Sequence, residues 1–333
     1  MMDINLISAR AILFSAVIGL FTYSASAKWT VTTEGAPSGC NHVISDGNWM
    51  IGVYRNSDDN WTLGKSIVQN GSGYVVGSGV LDLRNIAEET KCEAYPNGVI
   101  LTGSNNGSME NAKNKMTECY LPDSFERMAG IFMKEDTTLT KVVFGTGIKE
   151  IGSLAFYNCL GLKTVEFPGG RPRLTDLGQQ AFRGCKSLES VLDFSQSTFT
   201  TVHNYALVDL EKVTEIRLPE TLTTISGEAM GYNRRARVVW FCGPPPISIN
   251  HSNALNSKGG SWVLVAGRKH AAEWKANEHV ETITDAERAT AKTAAESFGL
   301  KGFKPIGKWT YRTGGYTHWV VEEPISGFIT VVR

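Results

Sequence analysis

The chain carries no net charge: 33 lysines and arginines stand against 33 aspartates and glutamates in 333 residues. Without a basic excess there is no electrostatic reason to expect nucleic acid or an anionic membrane surface as a partner. Long apolar runs are missing too. The stretch from Ala11 to Phe21 is too short to cross a bilayer as a helix, and no later stretch is longer. Gly64-Lys65-Ser66 has the ending of a phosphate loop, but Asp59 stands where the earlier glycine belongs, so the backbone cannot wrap a phosphate there. Gly71–Gly79 is glycine-rich without dinucleotide spacing and reads as a turn. No Gly-x-Ser-x-Gly elbow exists. His270, Glu273 and His279 lie close in sequence, but the histidines are nine apart and cannot share a helical face as zinc proteases need. No Cys-x-x-Cys pair or Cys/His spacing suggests zinc. No catalytic residue, cofactor or metal ligand is therefore assigned.

What the sequence has instead is a repeat. Leu139, Val142 and Phe144 recur as Leu162, Val165 and Phe167. They return as Leu188 and Val191, with Asp193-Phe194 displaced by an extra residue, then as Val213, Ile216, Leu218 and Ala236, Val239, Phe241. Met116, Cys119 and Leu121 form an earlier copy. The spacings are 23, 23, 26, 25 and 23 residues, a period that marks stacked repeats. Leu162-x-x-Val165-x-Phe167 alternates with period two and predicts a short half-buried strand stopped by Pro168. Upstream, Ile151, Ala155, Phe156, Cys159 and Leu162 are spaced by three and four, which predicts one or two helical turns facing the same interior. Leu177, Ala181, Phe182, Cys185 and Leu188 match position for position. Val202, Ala206, Leu207, Leu210, Val213 and Ile225, Ala229, Met230, Asn233, Ala236 match more loosely.

The pattern I-x-x-I-G-x-x-A-F-x-x-C-x-x-L-x-x-V-x-F-P resembles the BspA-type leucine-rich repeat family of bacterial surface and secreted proteins, most clearly over 139–196. The resemblance implies an α/β leucine-rich-repeat solenoid and a binding or adhesion role at the cell surface. It says little about the ligand.

Residues 1–27 read as a secretory signal peptide, with Arg10 as basic flank, Ala11–Phe21 as apolar core and Ala25-Ser26-Ala27 as cleavage site. The alternative is a short N-terminal anchor. No cysteine follows the cleavage site immediately and Gly327–Arg333 shows no wall-anchor pattern, so neither lipidation nor sorting is expected. Export would let the six cysteines pair. Cys159 and Cys185 share one slot in adjacent repeats, either as a disulfide or as small buried residues; Leu210 and Asn233 in the same slot favour the second reading. Cys40 with Cys92 is a further candidate staple.

Four segments follow: the signal peptide over 1–27, a β-rich N-terminal cap or divergent coils over 28–115, leucine-rich repeats over 116–246, and a C-terminal cap over 247–333. Three prolines at 244–246 end the repeats. Trp262–Val265 reads as one more strand, Gly267–Asn277 and Asp285–Phe298 as helices with Asp285 as an N-cap, and Lys308–Arg312 with His318–Glu322 as a hairpin around Thr313-Gly314-Gly315. Gly327–Val332 is a further candidate strand.

On the strands, residues between the inward positions face out: Glu118 and Tyr120, Lys141 and Val143, Thr164 and Glu166, Ser190 and Leu192, Glu215 and Arg217, Val238 and Trp240. Several are apolar, and apolar patches rimmed by charge mark interaction sites. The opposing reading is that terminal caps cover part of this face. The sequence thus predicts an exported, non-enzymatic protein binding an extracellular protein or glycan, with no nucleic-acid partner and no membrane span after signal cleavage. A structural scaffold without a discrete ligand is the rival, and a hydrolase with its site in the N-terminal region is a third reading without a supporting motif.

Overall fold

The computed structural model describes residues 29–36, 39–64, 78–109, 112–189, 191–235, 237–256, 261–311 and 315–324. The signal-peptide segment, Lys65-Ser66, Ser190, Ala236, Thr313-Gly314 and Gly327–Val332 lie outside them.

The alternating segments stack in register. Gly79–Asp82, Met116–Tyr120, Lys141–Val143 and Thr164–Glu166 form a parallel ladder in which Cys119 pairs with Val142 and Val142 with Val165. Leu192–Asp193, Glu215–Leu218, Val238–Phe241 and Val263–Ala266 form a second parallel run. We call the two together the main ladder. Leu139, Val142, Phe144, Leu162, Val165, Val213, Ile216, Leu218, Val239 and Phe241 are buried, as period-two alternation around one core requires.

Between the two runs the ladder is interrupted, and the alternation slips. Leu192 pairs with Ile216 and Asp193 with Arg217. The inward residue is therefore Leu192, only 3% exposed, while Val191 is 50% exposed. The expectation that Leu192 faces out and Val191 faces in is reversed. The extra residue of this copy is absorbed before Leu192 rather than after Val191, and one residue flips a strand's faces.

The upstream half of each repeat is not helical. Ile151 sits in a two-residue strand, Glu150–Ile151, within a ladder with Arg127–Met128 and Asp176–Leu177. Thr201–Val202, Thr224–Ile225 and Ser248–Ile249 form a matching ladder farther along. After these strands the chain runs through turns. Leu154 and Asn158 take left-handed conformations (φ 60° and 54°), as do Ile131 and Glu135, and Tyr205 and Asp209. The N–H groups of Leu154, Asn158, Ile131, Glu135 and Asp209 point to the next coil instead of back along a helix. Leu154, Phe156 and Asn158 donate to the carbonyls of Gln179, Ala181 and Arg183 at 2.9, 2.8 and 2.7 Å. The preceding coil does the same from Ile131, Met133 and Glu135 to Ser153, Ala155 and Tyr157. Spacings of three and four arise here from nested turns that bring Ile151, Ala155, Phe156, Cys159 and Leu162 to the interior, which mimics a helix in the sequence.

Ala155, Phe156 and Cys159 still reach the core, each 0% exposed. Phe156 stacks on Phe182 at 5.3 Å and meets Phe132 and Phe144 edge-on at 6.4 Å. The cysteine slot has a polar job as well. Cys159 and Cys185 are free thiols that donate to the carbonyls of Met133 and Phe156. Asn233 in the same slot donates to Leu207 and Met230 and accepts from the Leu210 N–H at 2.8 Å. Cys40 and Cys92 are likewise free.

Gly152 and Gly178 follow the short strands Glu150–Ile151 and Asp176–Leu177, where neighbouring coils approach closely. A Cβ on Gly152 would stand 2.6 Å from the Gly130 nitrogen, and one on Gly178 2.4 Å from the Ser153 nitrogen. Both neighbours are backbone and cannot step aside. Gly152→Ala is expected to cost about 1–3 kcal/mol, read as a lower urea midpoint; an unchanged midpoint would show that the coils have room to spare.

The ends are built differently. Thr30–Thr32, His42–Ser45, Met50–Arg55 and Trp61–Leu63 form an antiparallel meander that joins the Leu101–Ser104 strand. From this region the Trp49 and Trp29 indoles donate to the Val80 and Asp82 carbonyls at 2.7 and 2.9 Å. At the other end His318–Glu322 pairs parallel to Val263–Ala266, and Lys304–Trp309 returns antiparallel. A helix, Asp285–Ser297, lies nearby; its N-cap is Thr284, not Asp285, and Thr284 and Glu287 form a reciprocal capping box. Those bonds, with Lys308 alongside, hold the Glu287 carboxyl down to about 2.

Candidate binding face

The outer face of the main ladder divides into an open part and a covered part. In the open part, Glu118, Tyr120, Lys141, Val143 and Thr164 are half-buried and Glu166 is exposed. They engage one another. The Tyr120 hydroxyl donates to Glu118 at 2.5 Å, Arg84 lies 4.3 Å from the Tyr120 ring centre, and Lys141 pairs with Glu166 at 2.8 Å. The Glu118 hydrogen bond, chiefly, holds the Tyr120 hydroxyl above its usual range, against the opposing pull of Lys141 and Arg84.

Toward the C-terminal end the face is covered. Val238 and Trp240 point outward from the ladder, but each is buried, at 4% and 6% exposed. They pack with Val263, Val265 and Val321 beneath Ala295, Leu300 and Phe303. Phe303 meets Trp240 edge-on at 5.6 Å, and Arg217 sits 4.6 Å over its ring. Trp240 is therefore an anchor for the C-terminal segment, not a solvent-facing contact. Nothing in the local pattern of residues 238–241 announces this, because the cover arrives some sixty residues later.

Where open and covered parts meet lies a groove of about 960 Å³. One wall is the Pro168–Gly170 turn and Arg171, the other the end of the C-terminal helix at Ser297 and Phe298; Glu215, Arg217 and Val238 lie between. The groove sits at the interruption of the main ladder, and the inserted turn that forms its wall also lengthens that repeat. Five arginines line it: Arg171, Arg217, Arg234, Arg235 and Arg237. Its two carboxylates are already engaged, Glu215 with Arg217 at 2.5 Å and Asp193 with Arg171 at 3.3 Å. Burial holds the Arg237 guanidinium below its usual value. Of the predicted residues, the groove gathers Glu215, Arg217 and Val238. Arg234, Arg235 and Arg237 were legible only as a charge cluster in a repeat whose counterparts hold mixed charges.

Two buried thiols are poorly placed as nucleophiles. Burial pushes the Cys119 and Cys159 thiols up to about 12, which keeps them protonated and unreactive near neutrality. His270 contacts Glu273 and Glu220 at 2.8 and 3.3 Å. Among the described residues no His, Cys, Asp or Glu group is arranged to hold a metal, and no helix is long and apolar enough to cross a membrane.

Residues 112–239 match, in six copies, the family described as BspA type leucine rich repeat region. No curated protein matches the chain. Solved structures with partial similarity include a leucine-rich repeat protein from Bacteroides ovatus, 16% identical with a TM-score of 0.33, covering 61% of this chain. The match spans 59% of the length of that protein. The pneumococcal vaccine antigen PcpA is 11% identical, with a TM-score of 0.20, over 68% of this chain and 82% of its own. A leucine-rich cell surface protein from Faecalibacterium prausnitzii is 10% identical, with a TM-score of 0.19, over 68% and 89%.

Proposed function

We propose that this chain, whose residues 112–239 are a BspA-type leucine-rich repeat region, is an exported, non-enzymatic solenoid, capped at both ends, that binds an extracellular partner. Stacked repeats build long continuous surfaces rather than one deep catalytic pocket. The observation that carries the reading is the outer face of the main ladder. Its covered part is apolar and already has its cover. Its open part ends in a groove that keeps five arginines together in a chain of zero net charge. Val191 and Phe298, 50% and 38% exposed, line the same groove. Charge segregation beside exposed apolar side chains is the composition of an interface.

Residues 28–333, screened against immobilised extracellular proteins and glycans, are expected to bind at least one saturably. Val191→Asp or Tyr120→Ala should weaken that binding while the urea midpoint stays put. A folded chain that binds nothing and instead self-associates would sink this reading in favour of a scaffold.

A further inference from the structure

The groove's chemistry defines its partner more narrowly. Arg234 and Arg235 are exposed, and no ion pair engages either among the described residues. Elsewhere on the repeats, charges at this turn are neutralised between coils: Lys186 pairs with Glu211 at 3.2 Å and Lys212 with Glu189 at 2.5 Å. The coil that carries Arg234 and Arg235 breaks that habit. With Glu215 and Asp193 engaged by Arg217 and Arg171, the groove keeps an excess of guanidinium groups. The nearby helix end offers little competition, because Phe298, Gly299 and Leu300 donate to its last carbonyls, those of Ala295 and Glu296.

Guanidinium forks pair bidentately with carboxylates, and arginine clusters are a recurring reader of acidic peptide motifs. The uncharged part of the groove favours the same class. Among the described residues its exposed uncharged side chains Val191 and Phe298 are apolar, and its neutral polar side chains are Thr214 and Ser297. Trp240, which might otherwise stack on a sugar, is covered by Arg217 and Phe303. We infer that the groove between the Pro168–Gly170 turn and the C-terminal helix recognises an acidic peptide segment of a partner protein that also carries an apolar side chain. This rests on the outer face being the binding surface and adds where on it, and to what, binding occurs.

The test is fluorescence anisotropy on residues 28–333 with a labelled peptide of alternating glutamate and leucine, beside an all-glutamate peptide and a sulfated oligosaccharide. The leucine-bearing peptide is expected to bind saturably and more weakly as salt rises. Arg234→Glu with Arg235→Glu should weaken it by at least about tenfold, whereas Lys115→Glu, exposed at the far end of the ladder, should not. Phe298→Ser should erase the preference for the leucine peptide over the all-glutamate one. Circular dichroism and the urea midpoint establish that each variant is folded. Binding of the sulfated oligosaccharide alone would overturn the peptide assignment. A partner from the extracellular screen that binds the Arg234→Glu/Arg235→Glu chain undiminished would overturn the groove while leaving the outer-face reading intact. Loss of every partner in the screen would fell that reading itself.

Discussion

Phe156→Ala is expected to remove about 3–5 kcal/mol of stability, the largest effect of any single change considered. Phe156 is 0% exposed and touches aromatic rings from three sides: Phe182 from the following coil, Phe132 from the preceding one, and Phe144 from the main ladder. Its removal leaves a void at the centre of a stack in which each coil is held only by its neighbours. The surrounding backbone cannot collapse to fill it, because Phe156 N–H and Tyr157 C=O are pinned to the coils on either side at 2.8 and 2.6 Å. The loss would appear in urea denaturation as a large drop in midpoint, and as a broadened transition if the coils on the two sides of the void uncouple. A loss below about 1 kcal/mol would mean that the rings are loosely packed and that the strand ladders carry the stack.

The second large effect comes from acid. His318 is 0% exposed; one ring nitrogen meets the Leu255 carbonyl at 2.9 Å and the other accepts the Trp262 N–H at 3.1 Å. Burial lowers its value from 6.5 to about 4 in the folded chain. The unfolded chain therefore takes up a proton first. The contribution is intact above about 6.5 and is lost as the pH falls from there toward 4, a total of about 3 kcal/mol. Protonation would also set a second N–H against the Trp262 N–H, so the C-terminal strand is expected to loosen before the central coils. Comparing urea midpoints at pH 7 and pH 4.5 for the native chain and His318→Gln isolates this term. An equal acid loss in both proteins would assign it to the carboxylates instead.

The repeated core was legible because one slot recurs across coils. Leu139, Val142 and Phe144 declare a strand by alternation, and of five further copies all but the one at Leu188 keep the same face inward. Three things were not legible. Strands of two residues, such as Glu150–Ile151, are too short to show a period. The turns from Ser153 to Cys159 carry helical spacing because left-handed residues at Leu154 and Asn158 return the chain every four residues; an asparagine only weakly hints at that conformation and a leucine not at all. The inversion at Leu192 arises because an added residue can be absorbed at either end of a short strand, and only pairing with Ile216 decides which. The candidate binding face suffered most, since exposure is a property of what lies above a residue. Alternation correctly turns Trp240 away from the core, but Phe303 covers it. The arginine groove needed the loop at Gly169, the turn at Arg234 and the helix end at Phe298 brought together from three distant stretches of chain.

The tryptophans show how the molecule fixes its own length. All eight lie at or before Trp61 or at or after Trp240; none falls in the intervening repeats. A coil that stacks on its predecessor by simple translation offers the same surface again, and such head-to-tail contacts do not close on themselves but grow into fibres. Trp29 and Trp49 occupy the carbonyls with which one more coil would have to pair. At the far end Trp262, Trp274 and Trp309 fill the terminal layer, and the reversed strand Lys304–Trp309 breaks the parallel order that growth requires. The interior sequence specifies how to add a coil, and the bulky indoles at either extreme specify when to stop. Trimming either one would leave an open-ended stack whose bare coil could pair with another copy, rather than a shorter stack with closed ends.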